Sequence, residues 1–430
     1  MRPSADMYAL PESIDRRHVI TARYLASGDM HDYLEFAGRL AVEGSTGSWI
    51  PLPLETPELL RLHGAKVIGV FEVPDYEHQR SGKKANIIVD VAYPDVNLGT
   101  QIPMLLNTVI GVVSNFGDLK LVELELPERF VAEFPGPRQG IQGMRRFLGV
   151  PIRPLCCNVM KPCVGMDPRQ TAQLFYEVAL GGIDIVKDDE KLANVSYSTV
   201  AARVAACMAA ERRAYEETGE HTYYAVNITD DPLRAMDNAK AALEVGGNML
   251  MLSHLTAGFG VLRSLAEAPE IRVPIMVHPD FAGGFSRSER LGMSSHLSLG
   301  KLARISGADI SDLPTSHGTV PITQEKCTKI CMTLRSPLYG IRSAWPMLGG
   351  GLHPGMIKAV VDDLGFDVIV GGGGAVHAHP LGPKAGAKAF RQAIDAAVHH
   401  RSLRDAGREH PELGAATAIW GITRENALEG

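Results

Sequence analysis

The chain carries no excess of positive charge: 43 Lys and Arg stand against 49 Asp and Glu, for a formal net charge of −6. The electrostatic footprint of a nucleic-acid binder is therefore missing. No apolar run approaches the roughly 20 residues that span a bilayer, so no membrane partner is expected. The opening residues, MRPSADMYALPESIDRR, lack the charged-then-apolar plan of a secretory signal. These absences predict a soluble, cytoplasmic protein. The six cysteines (Cys156, Cys157, Cys163, Cys207, Cys327 and Cys331) form no CxxC pair and have no matching His spacing. A structural zinc site is not expected, and most of the six read as buried, reduced thiols. The first β/α unit has no GxGxxG to support a dinucleotide fold. What is present, 45% apolar and 21% charged residues over 430 positions, is ordinary for a globular chain long enough for two domains.

Four segments rich in β-branched residues, 18–26, 65–73, 85–93 and 119–127, read as strands. Helical patterns at 30–43 and around 100–110 complete the order β-α-β-β-α-β. That order predicts a small ferredoxin-like α+β domain over residues 1–137. FPGPRQGIQGMRRFLGVP (134–151), dense in Pro and Gly, marks the boundary. Beyond it, eight short apolar segments alternate with amphipathic helices: 154–160, 183–189, 222–228, 248–254, 273–278, 308–314, 343–348 and 366–371. Eight such units predict an α/β fold, a (β/α)8 TIM barrel over 138–430 serving as the catalytic domain.

Barrel active sites collect at the C-terminal ends of the strands. Just past the eight segments lie Lys161, then Lys187-Asp188-Asp189-Glu190, Asn227, His254 and His278. The later ones are followed by Ser316-His317, Gly349-Gly350-Gly351 and Gly371 to Gly374. Each signal alone is weak, and a lone KDDE is most often a solvated turn. Aligned on strand ends, they point to one site. Asp189 and Glu190 offer the hard oxygens that Mg²⁺ takes. A lysine beside a divalent ion is out of place unless CO₂ converts its amine to a carbamate, an anionic oxygen ligand.

GGIDIVKDDE (181–190) closely resembles the metal-site motif of the RuBisCO large-subunit family. EGSTGSW (43–49), FPGPRQGIQ, NVMKPCVG (158–165), SHLTAGFG (253–260), GGGLHPG (349–355) and GGGGAVHAHPLG (371–382) match that family in order. The resemblance implies Mg²⁺ held by Lys187 as a CO₂ carbamate together with Asp189 and Glu190. It implies Lys161 as the acid/base lysine, with a depressed pKa, and His278 near the substrate hydroxyls. His317 is a further candidate for phosphate binding or proton transfer. Gly350, Gly351, Gly373 and Gly374 would give backbone N–H groups to one phosphate. Ser48 and Trp49 would join them from a second chain, with Glu43 touching the shared site. The implied partner is thus another copy of the chain, in a dimer with room for a higher oligomer.

The chain also departs from the carboxylases. Cys163 stands where their second lysine follows, Pro279 replaces the arginine that grips the second phosphate, and Gly349 replaces a serine. Thr323 occupies the place of the loop lysine, with Lys326 the nearest, and Val112 the place of an asparagine. Cys163 reads as a filler, not a nucleophile, and His353, His377 and His379 as supports of the glycine loops. A second dianionic phosphate would be poorly held without its arginine. The expectation is therefore a RuBisCO-like, non-carboxylating lyase or isomerase that forms an enediolate from a small, singly phosphorylated keto substrate. The first choice is decarboxylation or carbon–carbon cleavage of a 3-oxo-isoapionate-4-phosphate-type substrate. The alternatives are 5-methylthioribulose-1-phosphate isomerase and 2,3-diketo-5-methylthiopentyl-1-phosphate enolase. That enolase typically has a lysine base where this chain has Val112, which weighs against it. A non-catalytic binding role is disfavoured by retention of Lys161, Lys187, Asp189 and Glu190 together.

Overall fold

The computed structural model describes residues 7–28, 32–48, 50, 52–73, 85–320 and 322–424. The chain divides into two compact units. One comprises Met1–Phe134 with Phe281–Ser298, the other Pro135–Asp280 with Leu299–Gly430. Among the described residues no helix is long and apolar enough to cross a membrane.

The first unit is built on β1 (Val19–Gly28), β2 (Lys66–Val73), β3 (Ala85–Pro94) and β4 (Asp118–Glu125). β1 lies antiparallel between β3 and β4, and β2 extends the sheet beyond β3, giving the order β4-β1-β3-β2 of a ferredoxin-like fold. Alternation explains the pairing. Ile20, Ala22, Tyr24 and Ala26 of β1 are buried, and so are Ile87, Val89 and Val91 of β3. The buried Tyr24 and Tyr93 hydroxyls lie 3.0 Å apart, and Tyr24 donates to the Val109 carbonyl at 2.6 Å. Helix Tyr33–Glu43 starts at Asp32, whose carboxylate caps the Glu35 N–H. The second expected helix is shorter than its pattern: Ile102–Leu106 gives way to a π-helical turn over Asn107–Gly111. A run of Thr108, Val109 and Ile110 leading into Gly111 explains the loss of regular α geometry.

The second unit contains the barrel. Its strands are β5 (Leu155–Val159), β6 (Ile185–Lys187), β7 (Tyr223–Asn227), β8 (Met249–Leu252) and β9 (Ile275–Val277). A two-residue strand of the first unit, β10 (Gly292–Met293), pairs parallel to β4. The barrel resumes with β11 (Ile310–Pro314), β12 (Trp345–Gly349) and β13 (Ile369–Gly372). All eight barrel strands are parallel, and β13 pairs with β5 to close the ring. Cys157, Ile185, Tyr223, Met251, Met276, Trp345 and Met347 fill the interior. The barrel is a packed core and not a pore. Helix Gly140–Leu148 lays Ile141 and Met144 against that cluster, and the Tyr223 hydroxyl donates to Gln139 at 3.0 Å. Six of the eight strands fall within the segments marked by the sequence, and β12 and β13 each run one residue past theirs, because each is a short, largely apolar run buried on both faces.

Candidate active site

The site is clearest at the end of β6. Alternation along an extended segment turns neighbouring side chains to opposite sides, and Lys187-Asp188-Asp189 shows it. Asp188, fully buried, turns away from the other two: it accepts from Arg203 Nη2 at 3.1 Å, the Tyr224 hydroxyl at 2.5 Å and the Asn227 N–H at 3.0 Å. Arg203 comes from helix Val200–Thr218, capped at Thr199. This buried pair ties the strand end to the helical shell. Asn227, at the end of β7, donates through Nδ2 to the Glu190 and Leu192 carbonyls at 2.9 and 3.2 Å. The turn carrying Glu190 is thereby pinned from the next strand.

Five of the sequence-derived residues, Lys161, Lys187, Asp189, Glu190 and His278, are gathered into one network. Lys161, after β5, places Nζ 2.7 Å from Asp189 Oδ2 and 3.0 Å from Cys163 Sγ. Lys191 Nζ holds the other Asp189 oxygen at 3.1 Å and Glu190 Oε1 at 3.0 Å. Lys187, only 1% exposed, has Nζ 3.8 Å from both Glu190 Oε2 and Asp312 Oδ2. His278 Nε2 stands 3.3 Å from Glu190 Oε2 and 3.5 Å from Asp312 Oδ2, and its Nδ1 is 3.4 Å from Asp280 Oδ1.

The electrostatics follow from these contacts. Burial works to raise the Asp189 carboxyl, but hydrogen bonding from Cys163, Lys161 and Lys191 outweighs it and holds the group well below the usual carboxylate range. Glu190 is lowered against the pull of burial, chiefly by His278. Asp312 goes the other way, raised by burial. Lys161 reverses the expectation of a depressed amine. Burial pulls it down, but its close neighbour is the Asp189 carboxylate, not a cation, and the net shift is upward. Asp312, Asp280 and Lys191 were missed by sequence reading. Asp312 lies inside ISDLP, where an apolar strand hides one inward carboxylate, and Asp280 lies two residues past His278.

The glycine loops form a second region. Gly350 and Gly351 have φ of +83° and +94°, values that L side chains rarely adopt. A Cβ at Gly351 would stand 2.7 Å from Thr319 Cγ2. At Gly373 it would meet Lys161 Cε at 3.2 Å and Val159 at 3.3 Å, so this loop approaches the lysine closely. Gly351, Gly373 and Gly374 line a cavity of about 270 Å³ with Leu352, His353 and Trp420. His377 bonds the Asn158 amide at 3.2 Å, and burial lowers its imidazole to about 4.

The other sequence-derived residues fall elsewhere. His317 Nε2 is 2.9 Å from Asp363 Oδ2, a carboxylate also held by Arg424. Glu43 ends helix Tyr33–Glu43 in the first unit, and Ser48 there shares hydrogen bonds with Ile50. Trp49 lies outside the described residues. Thr323 caps helix Gln324–Arg335 by accepting from the Lys326 N–H. A helix cap thus occupies the place of the carboxylases' loop lysine. Val112 is 53% exposed in the first unit. Cys163 is the one partly exposed cysteine; the other five are buried and unbridged.

An acidic centre at the strand ends of a parallel barrel, with lysines set into it, belongs to the class of α/β barrels whose sites collect at that face. Comparison with known proteins agrees and narrows the class. The family model for the ribulose bisphosphate carboxylase large chain, catalytic domain, matches residues 140–420, and that for its N-terminal domain matches 11–130. A ribulose bisphosphate carboxylase-like protein of Archaeoglobus fulgidus is 46% identical, covering 95% of this chain and 94% of its own. A 2,3-diketo-5-methylthiopentyl-1-phosphate enolase of Geobacillus kaustophilus is 38% identical over 95% of this chain and 99% of its own. Among solved structures, the octameric ribulose-1,5-bisphosphate carboxylase/oxygenase of Pyrococcus horikoshii superposes with a TM-score of 0.89 at 31% identity, covering 97% of each chain. The chain belongs to the RuBisCO large-chain family, in its non-carboxylating, RuBisCO-like branch.

Proposed function

We propose that the protein is a divalent-metal-dependent enzyme that enolises a singly phosphorylated ketone, of the kind named for its Geobacillus relatives, the 2,3-diketo-5-methylthiopentyl-1-phosphate enolases. The observation that carries this reading is Lys161 Nζ at 2.7 Å from Asp189, in the same network as Lys187, Glu190 and His278. A lysine ammonium against this carboxylate cluster supports a proton carrier beside a cation site. The relatives' names favour the enolase over decarboxylation or cleavage of a 3-oxo-isoapionate-4-phosphate-type substrate, so the enolase takes first place here.

The residues present fit the metal the family implies. Asp189 and Glu190 supply hard oxygens, and the two 3.8 Å contacts of buried Lys187 Nζ leave more room than a hydrogen-bonded pair would. Lys187 as a carbamate, with Asp189 and Glu190, would hold Mg²⁺. When bound, the ion supplies a Lewis acid for the substrate carbonyl. The chain's own groups do the rest. Lys161 carries the proton at carbon through Nζ, and its pairing with Asp189, which raises it, must be released for it to act as a base. His278 hydrogen-bonds a substrate oxygen, and Gly351, Gly373 and Gly374 receive the phosphate through backbone N–H groups. Val112 brings no proton carrier, which leaves this task to Lys161. Glu43, Ser48 and Trp49 would complete the site from a second copy of the chain.

The test is Mg²⁺- and bicarbonate-dependent exchange of a C–H proton into deuterated water, using a panel of keto monophosphates that includes the diketone phosphate. Exchange with the diketone, lost in Lys161→Ala, is the expected result. Exchange that survives the substitution removes Lys161 from its role, and fixation of CO₂ onto ribulose bisphosphate overturns the reading.

A further inference from the structure

We propose a divalent-cation site formed by Glu190, His278 and Asp280, which binds an ion while Lys187 is still an unmodified ammonium. It rests on the reading of the strand ends as a metal centre, and it adds a ligand set and a metal class that the carbamate arrangement does not contain. One carboxylate oxygen each from Glu190 and Asp280 and one imidazole nitrogen of His278 lie within 4.8 Å of one another. Among the described residues this is the one group of His, Cys, Asp or Glu side chains so arranged.

Two observations point to a ligand. First, His278 Nδ1 is buried without a hydrogen-bond partner; Asp280 Oδ1, at 3.4 Å, is near enough to attract it but lacks hydrogen-bond alignment. A buried polar atom left unsatisfied is destabilising, and a bound ion would satisfy it. Second, the local charge is anionic once His278 is neutral, as a metal ligand must be. Asp189, Glu190, Asp280 and Asp312 face Lys161, Lys187 and Lys191, four carboxylates against three ammonium groups. Pro279, between His278 and Asp280, brings no charge to offset the difference.

The donor set selects the ion. One imidazole with two carboxylates suits Zn²⁺ or Co²⁺ better than an all-oxygen site does, and Mn²⁺, which also accepts carboxylates, reports on the same set. Glu190 belongs to both ligand sets, so the two placements compete, and only the carbamate placement requires CO₂.

Mn²⁺ is the probe, added to the full-length protein in CO₂-free buffer and then with bicarbonate. Binding is read by isothermal titration, and histidine ligation by pulsed electron paramagnetic resonance, which detects a coordinated ¹⁴N. The expected result is Mn²⁺ binding without bicarbonate and with a histidine nitrogen signal. Asp280→Asn should weaken it roughly tenfold or more, and Lys187→Ala should leave it intact. Asp280 has a side chain 46% exposed, so its variant is expected to fold, and the nitrogen signal of the unsubstituted protein tests the proposal without any variant. Binding that needs bicarbonate, shows no nitrogen signal and disappears in Lys187→Ala overturns the proposal and leaves the carbamate reading standing. No Mn²⁺ binding under either condition overturns both.

Discussion

The two halves of the barrel mouth work by opposite means. At the ends of β5, β6 and β9 and within β11 the chain brings charged side chains together: Lys161, Lys187, Asp189, Glu190, His278 and Asp312. After β12 and β13 it removes side chains, leaving glycine backbone around a cavity of about 270 Å³. The first region depends on charge balance in a low-dielectric interior. The second depends on the missing Cβ atoms of Gly351 and Gly373. A side-chain site fails when a partner is deleted, a backbone site when an atom is added. They meet where Gly373 approaches Lys161 Cε.

The largest break in this contrast should come from Lys161→Ala. Loss of a positioned proton carrier costs about 10²–10⁴-fold in rate, and steady-state turnover with a circular dichroism control of folding checks it. Next comes the anchor of the charged half. Asp188→Ala leaves Arg203 buried without its ion-pair partner, which should cost roughly 3–5 kcal/mol in stability measured by denaturant titration. A cost under about 1 kcal/mol would show that the strand end does not rely on this pair.

The supports of the glycine half should respond to pH. His377 is held neutral by burial, with its pKa lowered from 6.5 to about 4. A lowered histidine pKa means that the unfolded chain binds the proton first. Its contribution is therefore fully present above pH 6.5 and is lost as pH falls towards 4. His377→Gln should flatten the acid limb of the stability curve by on the order of 3 kcal/mol. An unchanged acid limb would assign it to other groups. The smallest effect is expected from Gly351→Ala. The added methyl strains a φ of +94° and presses on Thr319, which should raise KM for a phosphorylated substrate by about tenfold, about 1.4 kcal/mol. Turnover at saturation should change little, because this position does not touch Lys161.

Much of the architecture was legible in the sequence. Short apolar runs broken by amphipathic helices allow little besides a parallel sheet covered on both faces. The alternating burial of β1 and β3 likewise follows from period-two patterning. The weak point was the 100–110 segment, where the helical pattern competes with β-branched residues and Gly111 and only Ile102–Leu106 is regular α-helix. The candidate site was legible where charges stand together, as in Lys187 to Glu190. It was not legible at Asp312, since one carboxylate in an apolar strand does not reveal which side it faces. The opposite roles of adjacent residues were hidden too: Asp188 anchors the strand while Asp189 meets Lys161, a difference set by the direction of each side chain.

By itself, the order of residues determined which groups are available: the KDDE run, the glycine repeats, and the proline and cysteine where a carboxylase has an arginine and a lysine. It determined the strand rhythm as well, because hydrophobic periodicity is a local property. Only the tertiary structure decided which charges neutralise one another. Lys161 and Asp189 are 28 positions apart and Lys187 and Asp312 are 125 apart, yet barrel closure brings each pair within 4 Å. Electrostatic interaction depends on distance through space and on burial, and neither can be read along the chain.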